Sequence, residues 1–83
     1  MGYEFEWDPQ KAASDAKKHG VEFQEAATVF GDPLAVLRDD PDHSVTELRY
    51  ILLGASARNR LLVVAFAERP PRTRLISARP ATP

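Results

Sequence analysis

The first residues alternate: Tyr3, Phe5 and Trp7 are aromatic, Glu4 and Glu6 acidic, which is the period of a half-buried strand. Asp8-Pro9 ends that period and starts a helix, with Asp8 as N-cap and Pro9 at the first helical position, where its missing N–H costs nothing. The helix is predicted through Lys11, Ala12, Ala16 and Lys18 to His19. Gly20 then supplies the left-handed position that closes it, and Val21 the accompanying apolar contact. Phe23, Ala26, Ala27 and Phe30 follow at i, i+3, i+4 and i+7, a second short amphipathic helix that stops at Gly31 before the Asp32-Pro33 turn.

From Leu34 the period changes to two. Leu34–Arg38 is a short predicted strand, followed by a polar loop through Asp39, Asp40, Pro41, Asp42, His43 and Ser44. Glu47–Ser56 and Arg60–Glu68 are longer strands joined by a tight connection at Ala57-Arg58-Asn59. Pro70-Pro71 reverses the chain into a last strand, Arg72–Arg79. Leu61–Ala67 is apolar on both faces, so its strand is predicted at the centre of the sheet. The expectation is one α+β domain over residues 1–83, two N-terminal helices packed on an antiparallel β-sheet, in the order β-α-α-β-β-β-β. Thr82-Pro83 has the form of an N-cap and first helical residue.

Composition narrows the chemistry. With 83 residues the core is thin, and with no cysteine there is no disulfide framework, thiolate nucleophile or sulfur-based zinc site. No run approaches the roughly 20 apolar residues of a membrane span, and the start lacks the layout of a signal peptide, so a cytoplasmic protein is expected. The net charge of −1 conceals a division. Residues 1–47 hold 11 acids against Lys11, Lys17, Lys18 and Arg38, whereas residues 48–83 hold only Glu68 against seven arginines. The two halves can neutralise each other in the fold, and the arginines can grip phosphate, whose geometry their planar fork matches.

Strand parity places Arg72 and Arg74 on one face with Ile76, and Arg79 on the other with Thr73, Leu75 and Ser77. Glu47 and Arg49 share a face, where Arg49 suits an ion pair with Glu47 or Glu68 and equally a phosphate contact. His19 suits the negative end of a helix dipole, and His43 a solvated loop. Either imidazole can also move a proton near neutral pH. No metal-ligand spacing, glycine-rich phosphate loop or nucleophile elbow is present.

Phe5-Glu6-Trp7-Asp8-Pro9-x-Lys11-Ala12, Lys18-His19-Gly20-Val21-x-Phe23-x-Glu25-Ala26 and Val29-Phe30-x-Asp32-Pro33 stand in order along the chain. Asp42-His43-Ser44, Glu47-x-Arg49, Gly54-x-Ser56, Arg60-Leu61-Leu62-Val63-Val64, Glu68-Arg69 and Arg74–Arg79 follow. Together they resemble the BrnT toxins over nearly the whole sequence. The resemblance implies a RelE-like fold and a type II toxin–antitoxin ribonuclease that cleaves RNA without metal or other cofactor and inhibits translation. It also implies an RNA substrate and a BrnA-type ribbon-helix-helix antitoxin as partners, in a homodimer or a toxin–antitoxin hetero-oligomer. Asp15 replaces an asparagine and Ala67 a threonine of the family pattern, whose charged C-terminal helix is absent from these 83 residues. For such chemistry Arg49 and Arg79 are the expected phosphate-stabilising pair, with His19 or His43 carrying protons and Glu47 as a substitute base. Lys18, Arg60, Arg72 and Arg74 are the expected RNA contacts. A catalytically weak antitoxin-binding or RNA-binding module is the alternative.

Overall fold

The computed structural model describes residues 4–40 and 47–81. Its elements are β1 (Phe5–Glu6), α1 (Pro9–His19), α2 (Phe23–Thr28), a 3-10 turn (Val29–Gly31), β2 (Val36–Asp39), β3 (Arg49–Ala55), β4 (Leu61–Arg69) and β5 (Arg72–Pro80). The caps follow from local chemistry. Asp8 accepts from the Gln10 N–H at 2.9 Å, and Gly20, at φ 72°, donates its N–H to the Ala16 carbonyl. The Phe23 stripe forms six α-helical residues and then tightens into the 3-10 turn. No described helix is long and apolar enough to cross a membrane.

The sheet runs β1-β5-β4-β3-β2, which places β4 at its centre as its two apolar faces predict. It is mixed, not antiparallel throughout. β2 to β5 form the expected meander, but β1 lies parallel to β5, with Phe5 opposite Thr73 and Glu6 opposite Arg74. The Thr73 N–H donates to the Glu4 carbonyl at 2.8 Å and anchors that pairing. Along the rest of β5 the outer edge meets α1, where Asp15 accepts the Ala78 N–H at 3.1 Å.

The strand residues of the core share one face: Leu52 on β3, Leu62, Val64 and Phe66 on β4, Leu75 and Ala78 on β5, whereas Ala67, also buried, lies on the other face. The core residues cluster with Val21, Phe23, Ala26 and Val29, so the core lies between their face and the helical segment. Phe30 extends it, edge-on to both Phe5 (5.0 Å) and Phe66 (4.9 Å).

Gly54 lets the 3-10 turn approach β3. A Cβ there would sit 2.8 Å from the Ala35 Cβ and 3.0 Å from Val29 Cγ1 and Asp32 Oδ2. Asp32 fixes this junction by accepting the Leu34 N–H at 2.9 Å and the Ala55 N–H at 2.8 Å, bonds that hold its carboxyl below the usual range. Gly54→Ala is therefore expected to destabilise the fold by about 1–3 kcal/mol, the usual cost of overpacking, read as a lower urea midpoint at unchanged m-value.

Candidate nucleic-acid interface

Strand register assembles the arginines on the face opposite the core. Ala67 of β4 pairs with Arg49 on one side and Arg74 on the other, and Arg74 pairs with Glu6, giving one row across four strands. Arg69 and Arg72 pair at the end of the β4–β5 hairpin, and their spacing from Ala67 and Arg74 puts them on this same outer face. Arg49, Arg69, Arg72 and Arg74 thus gather at one end of the sheet.

Among the described residues two carboxylates sit with them. Glu47 accepts from Arg49 Nε at 3.3 Å and from Arg69 through Nε at 3.1 Å and Nη2 at 3.0 Å. Glu6 lies 3.4 Å from Arg74 Nη1. The expected ion pair of Arg49 with Glu47 is thus present. Among the described residues four guanidiniums face two carboxylates, an excess of positive charge on strands whose backbone is fixed by the ladder. Such preorganised charge is the form in which cations stabilise a developing anion best.

Four of the sequence-picked residues are placed differently from their expected roles. Strict parity puts Arg79 on the face of Leu75 and Thr73, but β5 carries a bulge. Phe66 pairs with Leu75 and Ala65 with Ser77, so Ile76 is an extra residue and the phase reverses beyond it. Ala78 therefore enters the core, and Arg79 joins Ser77 on the outer face with Arg74. It still does not meet Arg49, because Arg79 pairs with Val63 and Arg49 with Ala67, four residues or about 13 Å along β4.

Arg60 is bound within the fold. Its Nε donates to Glu25 Oε2 at 2.9 Å, and its Nη2 donates both to Glu25 Oε1 and to the Gly20 carbonyl, the latter at 3.0 Å. His19 ends α1 beside that Gly20, at the Leu61 end of β4 and so at the far end of the sheet from Arg69. Lys18 is exposed in the same helical turn. Glu47, the expected substitute base, is made more acidic instead: hydrogen bonding from Arg69, with a smaller part from Arg49, outweighs burial and lowers its pKa. His43 lies outside the described residues.

Arg69 and Glu6 were missed by sequence reasoning. Counting two back from Arg69 reaches Ala67 on the outer face, a signal available in the sequence. The parallel pairing that delivers Glu6 to Arg74 is not.

No curated protein matches the chain. A family model described as the ribonuclease toxin BrnT of type II toxin–antitoxin systems matches residues 7–83. With the match covering almost its whole length, the chain belongs to the BrnT family of type II toxin–antitoxin ribonuclease toxins.

Proposed function

We propose that the protein is a RelE-like endoribonuclease that cleaves RNA without a metal in the cytoplasm, inhibits translation, and is neutralised by a BrnA-type ribbon-helix-helix antitoxin. The observation that carries the RNA-binding part is the outer-face row of Arg74, Ala67 and Arg49, flanked by Arg69 and Arg72. In the reaction the ribose 2′-oxygen bonds to its own 3′-phosphorus and the bond from phosphorus to the 5′-oxygen breaks. A base takes the 2′-proton, and an acid returns a proton to the leaving oxygen. Arg49 and Arg74 stabilise the charge on the phosphorane oxygens. Arg69 and Arg72 hold the neighbouring phosphates, and Arg79 a more distant one.

Proton transfer is assigned to His43. Glu47 is acidified by its arginines and His19 stands at the other end of the sheet, whereas an imidazole titrates where proton transfer is needed. Cleavage of a defined RNA by the purified chain in EDTA tests the reading, together with growth after induction in cells. Products ending in 2′,3′-cyclic phosphate, lost in His43→Ala, are expected. Tight RNA or antitoxin binding with neither cleavage nor growth arrest would instead identify an interaction module.

A further inference from the structure

We infer that the free edge of β2 and the groove beside it dock an extended segment of the antitoxin, which places an apolar side chain in the groove and a lysine or arginine at its rim. This rests on the toxin reading above and concerns surface away from the arginine row.

Backbone geometry supplies the first argument. The Asp40 N–H donates to the Arg49 carbonyl at 3.0 Å, so in the β2–β3 register Arg38–Ile51 and Val36–Leu53 are the other hydrogen-bonded pairs. The main-chain N–H and C=O of Leu37 and Asp39 therefore point away from the sheet. Among the described residues β2 ends the strand order, and all four of its residues are exposed. Such an edge accepts a further strand through main-chain hydrogen bonds.

A second argument lies on the core side of that edge, where a groove of about 410 Å³ is lined by Phe30, Leu37, Tyr50 and Phe66. Tyr50 stacks on Phe66 with centroids 5.5 Å apart, which makes a flat apolar wall. Leu37 is 57% exposed at its mouth. Alternate side chains of a strand added beside Leu37 would point into this groove, since neighbouring strands keep the same pleat. Its volume lies within the roughly 300–1,000 Å³ of sites that hold a sizeable apolar group.

Charge selects the occupant. Asp32 and Glu68 line the groove, and Asp39 shares the Leu37 face of β2. Carboxylates repel a phosphate backbone, so RNA is disfavoured here and belongs on the arginine face. A protein segment bearing a cation beside its apolar anchor is complementary.

Calorimetric titration of the full chain with a purified BrnA-type ribbon-helix-helix antitoxin tests the site. Leu37→Glu puts a like charge at the groove mouth and is expected to weaken binding roughly thirtyfold or more. Leu37→Pro removes an outward N–H that bonds nothing within the β2–β3 ladder, and is expected to weaken it about tenfold. Circular dichroism and RNA cleavage by the chain alone should be unchanged in both. Wild-type affinity in both variants overturns the docking site. So does self-association of the chain alone at about 100 μM that depends on Leu37, which would make the occupant a second copy, or a loss of RNA binding in these variants. Cleavage by the wild-type chain reports separately on the toxin reading, so unchanged affinities with retained cleavage overturn the docking site only.

Discussion

Arg49→Ala and Arg74→Ala are each expected to lower the single-turnover rate of RNA cleavage about 10²–10³-fold, the effect of losing roughly 3–4 kcal/mol of transition-state stabilisation. The two residues stand on strands two apart with Ala67 between them, about 10 Å from Cα to Cα, within which two arginine side chains can converge on one phosphate. Stability should change little. The partly exposed ion pairs with Glu47 and Glu6 contribute about 0–1 kcal/mol each, so urea midpoints of the variants should stay near that of the wild type. Arg79→Ala is the discriminating comparison. Some 13 Å further along β4, it should lose less than about tenfold in rate, while the slope of log K against log salt flattens by about 0.7, one single-strand phosphate contact. If Arg49→Ala keeps full activity, or Arg79→Ala alone abolishes it, the reacting phosphate does not lie on the Arg74–Ala67–Arg49 row.

The Asp8 cap, the Gly20 closure and the Phe23 stripe are set within a few residues of each other, so their patterns are legible in isolation. The central place of β4 is legible too, because a strand buried on both faces has to be apolar on both. What escapes is set by residues far apart in the chain. Nothing near Phe5 announces that it will pair with Thr73, 68 residues away, in parallel. The bulge at Ile76 carries no glycine or proline to mark it, yet that one extra residue moves Arg79 to the other face. Arg60 shows the same limit. Its place in a run of arginines suggests a phosphate contact, and only the folded chain brings Glu25 to it across 35 positions.

That Glu25–Arg60 contact leads to the largest expected effect on stability. Glu25 is buried, its side chain 6% exposed, and its carboxylate is almost fully engaged. Arg60 donates to both oxygens, the Ser56 hydroxyl donates to Oε2 at 2.7 Å, and Arg58 lies 3.9 Å from Oε1. Arg60 also reaches the Gly20 carbonyl, so one guanidinium joins α2, the β3–β4 hairpin and the end of α1. Glu25→Gln keeps the shape but turns an amide N–H toward the guanidinium and leaves that cation without its charge partner. Breaking a buried pair costs about 3–5 kcal/mol; the lower figure applies here because Arg60 is 38% exposed and regains water. In so small a domain about 3 kcal/mol should lower Tm by more than about 10 °C. The pH dependence identifies the cause. Hydrogen bonding from Arg60 holds the Glu25 carboxyl at about 2, against an ordinary 4.5, so its ionisation stabilises the fold fully above pH 4.5 and progressively less as pH falls toward 2. The gap in unfolding free energy between wild type and Glu25→Gln should therefore be widest at pH 7 and narrow steadily between pH 4.5 and 2 in urea titrations. A gap that stays constant over that interval would mean the variant suffers from shape alone, and that the ionised carboxylate is not what joins the helices to the hairpin.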